Sequence, residues 1–517
     1  IGILSLLPPL LAIILAITTK QVLISLMAAV WVGATLVNGY NPILGLFSAF
    51  GDHIFPSLGN PDNASVVVMT VFCGSFSYLL ETGGGAKVFA ETLAKKIRGR
   101  KGAQVLTAFG GTAIFFSDST NPVLIGPVFK PLTDKLQVSR EKLAYIVDST
   151  SATMPSMFFF TSWGAYILTI IATELEGIGV QKNEIIAFNE AVPFMFYTIG
   201  AVIFVYFIAV TGFDYGPMMK AEKRALEEGK LVADGDATER LLRTVHVPEG
   251  ATPKLSSMLV PLAVLVVCIF GGLLWTGGFP KVGFGEAMAN AASMKSLVTA
   301  FFVASIVAAC YTVKDKVYTI KESIAAFTQG MAQMMEACCI LVLAWSIGSV
   351  CKAVGTTNYV ISITEDFLTP TMLYVVLFAV CAFTAFTTGT SWGTFAIYLP
   401  ISIPLAAAIG APVAPAIGLV VSGGIFGDHC SPISDTTVLS SMGSSCNHIA
   451  HVTTQFPYAL TVAVATAIAY LFVGLTYDSL GLGTSAAIGI VITVLGSCII
   501  GTIAHKTSKN KLSSEKK

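Results

Sequence analysis

A succession of long apolar segments is the feature that most constrains this chain. Windows of about 17 to 25 largely apolar residues recur from one end to the other, and each can cross roughly 30 Å of hydrocarbon as an α-helix. In all, 54% of the residues are apolar and 12% are charged, with a mean hydropathy of +0.76. We therefore predict an all-α integral membrane protein.

About eleven spans are predicted from these segments. The first, IGILSLLPPLLAIILAITT, has neither a basic leading region nor a small-residue cleavage site. We interpret it as a span and not as a signal peptide. The predicted spans cover residues 3–19, 21–38, 64–81, 143–172, 191–212, 256–276, 296–312, 335–353, 413–441, 452–474 and 485–504.

One long hydrophilic segment divides the chain. Residues 213–254 include KAEKRALEEGK and ADGDATERLLR, which are too charged to lie in a bilayer. We predict a cytoplasmic linker there, between a first membrane repeat over 1–212 and a second over 255–474. Residues 475–517 then form an extra span with a basic cytoplasmic tail.

Prolines at equivalent places indicate that the two halves are duplicated. IGPVFKPL (125–132) resembles YLPISIPL (398–405), and both proline pairs are separated by the same interval. Near the start of each half, LPPLLA (7–12) resembles LVPLAV (259–264). Many transporters consist of two such repeats joined by a linker.

Polar breaks interrupt apolar stretches at equivalent places in both halves. SDSTNP (117–122) and TSWGTF (390–395) lie in stretches that we expect to be too short on either side to span alone. Irregular backbone at membrane depth must be buried in protein or line water. We predict two re-entrant hairpins, at about 103–132 and about 370–408.

Each predicted hairpin is followed by a span with a polar, proline-containing interruption. DSTSATMPS (148–156) interrupts span 143–172, and GDHCSPISDTT (427–437) interrupts span 413–441. Proline removes a backbone donor and frees carbonyls to coordinate a cation, while half-helix N-termini can face an anion. We predict a polar site at the midplane. The residues expected at the helix breaks are Pro155, Ser431 and Pro432.

The distribution of basic residues predicts that the repeats are inverted. AKKIRGRK (94–101) and TDKLQVSREK (133–142) are basic, whereas TTNYVISITEDFL (356–368) is not. Basic loops remain in the cytoplasm, so the first hairpin enters from that side and the second from outside. We expect a bacterial inner (plasma) membrane protein whose C-terminus is cytoplasmic and whose N-terminal end faces outward.

Four aspartates are expected at membrane depth. A carboxylate at a helix centre costs about 2.5 to 3.5 kcal/mol on insertion scales, and the motifs contain no Lys or Arg to pair with it. A single aspartate can exchange Na+ for H+ by competition. The candidate coupling carboxylates are Asp118, Asp148, Asp428 and Asp435.

Other roles for these acids remain open. Asp118 or Asp435 can cap a hairpin half-helix through backbone N–H groups, and Asp428 can be a solvated cap. Glu81 and Glu336 are expected at helix interfaces. The scattered cysteines are typical of a reduced protein. His429, Cys430, Cys446, His448 and His451 are zinc-ligand types, but their spacing matches no zinc pattern, so polar lining is favoured and no transition metal is expected.

At these residues the sequence resembles the NhaC-type sodium/proton antiporters, members of the ion transporter superfamily. The stretch GDHCSPISDTTVLSS (427–441) is similar to their signature, although His429 and the segment CNHIAHVTTQFPYAL (446–460) depart from some relatives. The resemblance implies an elevator-type carrier, as a homodimer. It transfers site roles to Asp428, Ser431, Pro432, Ser434, Asp435, Thr436 and Thr437, and to Thr390, Ser391 and Gly393.

The resemblance leaves the solute open, because one branch of the family exchanges malate for lactate with sodium and protons. Hydroxyl groups and half-helix N-termini can hold a carboxylate without arginine. The residues expected at the hairpin tips are Ser119, Thr120, Asn121, Thr390 and Ser391, with Trp163 and Trp392 nearby or in packing roles. Sodium/proton antiport is the primary prediction, and sodium-coupled transport or exchange of a small organic acid or amino acid is the alternative.

Three further classes are disfavoured. A channel needs no paired hairpins, no nucleophile and base indicate an enzyme, and no basic stripe indicates a nucleic-acid partner. Na+ is the expected coupling ion at the hairpin tips and broken helices, and no cofactor is expected.

Overall fold

A computed structural model describes the chain except residues 1, 20, 96–98, 117, 119, 233–247, 249, 357, 358, 360–368 and 515–517. Every regular element in the described part is a helix. Eleven helices there are long and apolar enough to cross a membrane, and a pair bent by 114°, residues 23–37 with 42–59, would make twelve. The chain is an all-α integral membrane protein, as predicted.

The helices up to residue 227 are α1 (Leu7–Thr19), α2 (Val22–Val37), α3 (Pro42–Ser48), α4 (Phe55–Gly59), α5 (Pro61–Thr82), α6 (Gly85–Ala94), α7 (Gly99–Ala113), α8 (Thr120–Lys135), α9 (Arg140–Ser151), α10 (Ser162–Gly177), α11 (Glu184–Ala191), α12 (Phe196–Thr211) and α13 (Gly216–Glu227). Short 3-10 or π turns lie at Gly2–Leu6, Ala49–Ile54, Pro155–Met157 and Val192–Phe194.

The helices beyond residue 255 are α14 (Ser256–Thr276), α15 (Phe284–Ala289), α16 (Ser293–Lys314), α17 (Ile320–Gln333), α18 (Met335–Val354), α19 (Pro370–Thr388), α20 (Ser391–Ala408), α21 (Val413–Cys430), α22 (Asp435–Gly443), α23 (His448–Leu480) and α24 (Leu482–Ser514).

Four helix pairs occupy the segments with polar breaks. We call α7–α8 hairpin 1 and α19–α20 hairpin 2. We call α9–α10 broken span 1 and α21–α22 broken span 2. The polar residues singled out above lie between the paired helices or in the adjoining helix ends, as Asp428 and Asp435 do on the two sides of the second break.

Local chemistry explains the two broken spans. After α21 the chain reaches Pro432, which lacks a backbone donor, and the Ser434 side chain then accepts a bond from the Thr437 amide at the start of α22. In broken span 1, Pro155 lies in a 3-10 turn and Thr161 caps α10 by accepting from the Gly164 amide at 3.0 Å. Capping lets each helix restart inside the protein.

Several sequence expectations are wrong in detail. The helices of hairpin 2 have 19 and 18 residues, so each is long enough to cross a bilayer and neither is too short. Segment 3–19 instead forms the 13-residue α1 after a 3-10 turn. Helix α17 was not predicted, because its polar face obscures the apolar signal.

Part of the predicted linker packs against the membrane helices. Helix α13 lies within residues 213–254, and its Met218, Ala221 and Ala225 are buried. Three ion pairs join this region to the start of α7 and α9: Lys142–Asp214, Arg100–Glu222 and Arg224–Glu141. Residues 216–227 of the predicted cytoplasmic linker are therefore a packed helix with ion pairs to α7 and α9. Residues 233–247 and 249 of this segment lie outside the described part.

The hairpins and broken spans pack on one another in a crossed pattern. Hairpin 1 contacts α9 and, through α8, the second part of broken span 2. Hairpin 2 contacts α21 and, through α20, the second part of broken span 1. Helix α2 packs on α18, and α16 packs on α5. The four interrupted elements thereby surround the centre of the molecule.

Candidate functional site

A cavity of about 380 Å³ lies where the interrupted elements meet α5 and α18. Its walls include both breaks and the tip of hairpin 2, and none of the residues lining it is Lys or Arg. Five carboxylates line it: Glu81, Asp118, Glu336, Asp428 and Asp435. Among the described residues no three or more His, Cys, Asp or Glu are arranged to hold a metal ion.

Asp428 lies at the inner edge of this cavity. It is 2% exposed, at the end of α21. The hydroxyls of Ser391, at the tip of hairpin 2, and Ser434, before α22, lie close to its carboxylate. Ser391 also reaches the Gly424 carbonyl at 3.1 Å. The structure thus brings three of the predicted site residues together.

Asp435 faces the cavity from the N-terminus of α22. Its side chain is exposed there, and its Oδ1 accepts a bond from the Thr436 amide at 2.9 Å. The Ser434 and Thr436 hydroxyls are 3.0 Å apart and buried beneath it. Negative charge is favoured at a helix N-terminus, so the position suits a carboxylate whether it caps the helix or binds a cation.

Asp118 belongs to the break of hairpin 1 and contacts broken span 1. Its Oδ2 accepts a bond from the Trp163 indole at 2.8 Å, and its backbone carbonyl accepts one from Ser151 at 2.6 Å. The Trp163 ring lies 5.2 Å from the ring of Trp392, which lines the cavity. The two tryptophans therefore connect the first break to the tip of hairpin 2.

The tip of hairpin 2 approaches broken span 2 closely. Gly389 has φ of 70° and lines the cavity with Thr390. A Cβ at Gly389 would lie 2.6 Å from the Ile433 side chain and 2.8 Å from its backbone. Glycine is required here both by its backbone conformation and by lack of space.

Other predicted site residues lie behind the cavity wall. Thr120 is buried and its hydroxyl is 3.4 Å from Glu81 Oε2. Asn121 donates to the Gly111 carbonyl and to the Thr150 hydroxyl, both at 3.1 Å. The other predicted residues are Gly393, which is buried, Ser431, which donates to the Phe386 carbonyl, and Ser119, which lies outside the described residues.

Asp148 occupies a different environment from the cavity acids. It is fully buried in α9 and does not line the cavity. Its Oδ2 accepts from Gln455 at 2.7 Å, and its Oδ1 accepts from Ser440 at 3.3 Å. His451 Nε2 lies 3.8 Å from Oδ2. The structure therefore separates one of the four predicted aspartates from the other three.

The three histidines considered as zinc-ligand types make hydrogen bonds with hydroxyl groups. His429 contacts Ser149 and the Tyr197 hydroxyl, whereas His448 and His451 both contact Ser441. Polar lining, the reading favoured by their spacing, describes these contacts.

Sequence reasoning missed several residues of the site. Glu81 and Glu336, expected at helix interfaces, both line the cavity. Gln455 and Ser440 contact Asp148 but belong to helices distant in sequence. Segment 446–460 departs from some members of the resembled family. That difference is the sequence feature that could have indicated a role for His448, His451 and Gln455.

An all-helical membrane fold with interrupted helices around a carboxylate-lined cavity is that of a secondary transporter. A profile described as the Na+/H+ antiporter family matches residues 156–475. The chain belongs to this family, which confirms the resemblance to NhaC-type antiporters; the family consists of transporters and not of enzymes.

Two relatives and one solved structure extend the comparison. An uncharacterized protein of Haemophilus influenzae is 35% identical over 503 residues, covering 95% of this chain and 94% of the relative. The malate-2H+/Na+-lactate antiporter of Bacillus subtilis is 31% identical over 160 residues, covering 31% of this chain and 34% of that protein. The Alcanivorax borkumensis YdaH transporter has a similar fold, with a TM-score of 0.51 at 13% identity, over 94% of this chain and 97% of that one.

Proposed function

We propose that the chain exchanges Na+ for H+ by alternating access, with the cation bound in the central cavity. The observation behind this proposal is the set of five carboxylates on a cavity wall that has no Lys or Arg. An isolated charge is unfavourable where it is buried, and like charges close together repel. Asp428, which is buried, must therefore be protonated or paired with a cation, and competition between the two produces exchange.

The second break supplies the ligands that Na+ prefers. Hard cations bind carboxylate, hydroxyl and carbonyl oxygens. Asp428 and Asp435 provide the carboxylates, and Thr390, Ser391 and Ser434 provide hydroxyls close to them. Thr436 and Thr437 lie buried at the start of α22 and support that N-terminus. Asp118 faces the same cavity from hairpin 1.

We further propose inverted repeats over 1–212 and 255–474 and an elevator motion. The crossed packing of α8 on α22 and of α20 on α10 supports this, because equivalent helices then make equivalent contacts. The prolines of α8 and α20 also occupy matching places. In this proposal the hairpins and broken spans slide against α2, α5, α16 and α18 in each subunit of a homodimer. The basic loops and tail would face the cytoplasm of a bacterial inner membrane.

Sodium-coupled exchange of a small organic acid or amino acid is the second candidate. The cavity volume of about 380 Å³ exceeds the needs of one dehydrated ion, and Tyr78 and Trp392 give it an aromatic wall. The Bacillus subtilis relative is named for malate and lactate, and this supports the same alternative. An acidic solute would have to enter with cations, because the wall itself is negative.

Proteoliposomes containing the purified protein would test both candidates. An imposed Na+ gradient should drive proton movement of opposite direction without any organic solute present. A panel of labelled malate, lactate and amino acids, each with and without the Na+ gradient, tests the alternative. Proton movement only when one solute is present would replace Na+/H+ antiport by solute exchange, and absence of both would contradict the proposal.

A further inference from the structure

A buried chain of hydrogen bonds runs from Asp148 towards the protein surface, apart from the cavity. Gln455 Nε2 donates to Asp148 Oδ2, and Gln455 Oε1 lies 2.9 Å from His451 Nε2. His451 Nδ1 lies 2.8 Å from Ser441 Oγ, which lies 3.0 Å from His448 Nδ1. We call these five residues the Asp148 chain.

Carbonyl partners determine which nitrogens carry hydrogen. Gln455 Nε2 contacts both the Asp148 carboxylate and the His429 carbonyl, which only accept, so its amide oxygen faces His451. His451 Nε2 must then donate to that oxygen. His448 Nε2 lies 2.5 Å from the Pro432 carbonyl and must also donate. Each imidazole thus has its Nε2 protonated.

In the remaining contacts, the Asp148 chain has more hydrogen-bond acceptors than donors. If both imidazoles are neutral, both Nδ1 atoms only accept. Ser441 then has one hydroxyl hydrogen for two nitrogen acceptors, since the Thr437 carbonyl, 2.8 Å from Ser441 Oγ, already accepts a backbone amide within α22. A buried acceptor without a partner is unfavourable. One added proton changes an Nδ1 into a donor to Ser441 and satisfies the site.

We propose that the Asp148 chain binds the exchanged proton at a site separate from the cation cavity. This proposal gives a role to Asp148, which does not line the cavity. It rests on the proposed Na+/H+ antiport, because that activity identifies the bound proton as the transported one. With the proton on an imidazole, the Asp148 carboxylate, 3.8 Å from His451 Nε2, balances its charge.

The charged groups around the chain favour an added proton. Asp428 on α21 and Asp435 on α22 interact electrostatically with Asp148, and the uncharged Cys430 thiol on α21 and Tyr197 hydroxyl on α12 also lie near it. His429, also on α21, faces His451. Neither a Lys nor an Arg is among these partners of the buried end. The local field is therefore negative.

The outer end of the chain is accessible. Asp148, Gln455 and His451 are fully buried, whereas His448 is partly exposed at the start of α23. Ser445, just before it, accepts a bond from Lys130 at 2.9 Å and its carbonyl accepts one from Arg140. A proton can therefore enter at His448 and pass Ser441 to reach the buried end.

The same chain supports the break that carries the cation ligands. His448 donates to the Pro432 carbonyl and Gln455 to the His429 carbonyl, on either side of Ser431. The Thr437 hydroxyl contacts the Asp428 carbonyl at 3.3 Å and the Asp148 side chain. A proton that rearranges these donors alters the support of Asp428 and Asp435, which couples the two sites.

Imidazole nitrogen NMR of the ¹⁵N-histidine-labelled protein tests the proton site without transport, and the chain has only six histidines. We expect one pH transition shared by His448 and His451, seen as protonation of an Nδ1 atom. It should disappear in Asp148→Asn and Ser441→Ala. His53→Gln is the matched control, because His53 is also buried and contacts a serine, Ser349, at 2.9 Å. An unchanged transition in both chain variants overturns the proposal.

Transport then tests the coupling. Ser441→Ala should slow Na+-driven proton flux about tenfold or more, because two acceptors lose their shared donor, while ²²Na+/Na+ exchange persists. Wild-type proton flux in this variant overturns the proposal and leaves Na+/H+ antiport intact. If instead the unmodified protein moves no Na+ but shows the shared imidazole transition, the antiport proposal fails and the proton site stands.

Discussion

The Trp163 indole donates a 2.8 Å hydrogen bond to Asp118, so broken span 1 holds the carboxylate at the break of hairpin 1. Trp163 is buried and also packs edge-on against Phe395 of hairpin 2. One side chain therefore fixes a cavity acid relative to the opposite hairpin.

Trp163→Phe is predicted to raise the half-saturating Na+ concentration about tenfold, because a hydrogen bond to a charged group is lost while ring packing is retained. Trp345→Phe is the matched control: Trp345 is buried, and its indole nitrogen has no hydrogen-bond partner among the described residues. Initial rates of ²²Na+ uptake measure the effect. Equal Na+ dependence in the two variants would show that the bond to Asp118 has no part in transport.

Gly389→Ala is predicted to reduce both thermal stability and transport, because the added Cβ meets the Ile433 backbone at 2.8 Å. Gly410→Ala is its control, since Gly410 also has positive φ, of 69°, but nothing lies within 4 Å of its Cβ position. Both variants incur the left-handed backbone cost of about 1 kcal/mol. Melting of detergent-solubilised protein should therefore fall further for Gly389→Ala, and equal melting would refute the close contact.

Glu222→Gln is predicted to destabilise the protein by about 1 to 3 kcal/mol, because hydrogen bonds to a charged carboxylate are weakened. Glu222 is buried, pairs with Arg100 and accepts from the Ser139 amide at 2.8 Å. Glu228→Gln, which removes an exposed pair with Lys230 at 3.9 Å, should change stability by less than about 1 kcal/mol. Denaturant unfolding in mixed micelles compares them. Similar small losses would mean that α13 does not secure the first hairpin.

The elevator proposal predicts that hairpin 2 moves relative to α2. Spin labels at Phe383 in α19 and Ile24 in α2, both of which are exposed, report this distance in a background without the ten native cysteines. The distance distribution should change between Na+-loaded and Na+-free protein, while a pair between Ile24 and Val267 in α14 stays constant. A constant first distance in protein shown to transport would exclude the motion.

The apolar segments and prolines made the helical architecture predictable. Hydropathy locates spans such as α14 and α16 because lipid requires a continuous apolar surface. It could not locate α13 or α17, whose stability depends on contacts with distant helices, such as Arg100 with Glu222. It also underestimated the helices of hairpin 2, because Thr and Ser within them satisfy backbone carbonyls of the same helix.

The aspartates of the site could be predicted because a carboxylate in an apolar membrane segment is energetically costly and is therefore usually functional. Their grouping could not, since sequence spacing does not say which faces of α9 and α21 meet. Asp148 was therefore placed with Asp428 and Asp435, whereas the structure surrounds it with Gln455 and Ser440 from two later helices. Glu81 and Glu336 were missed because nothing local distinguishes a cavity wall from a helix interface.

Na+ dependence of the Asp435→Asn variant tests the central claim, that the cavity carboxylates bind the transported cation. Asp435 is exposed to the cavity, whereas Asp478 is an exposed acid in α23 that does not line it, so Asp478→Asn is the control. With folding and oligomer size checked, Na+-driven proton flux is measured between pH ~6 and ~9, because Na+ and H+ compete for the same carboxylates. Asp435→Asn should raise the half-saturating Na+ concentration at least about tenfold and flatten the pH dependence, since a charged ligand is lost, and Asp478→Asn should match the unmodified protein. Unchanged Na+ dependence and pH profile in well-folded Asp435→Asn protein would contradict the account.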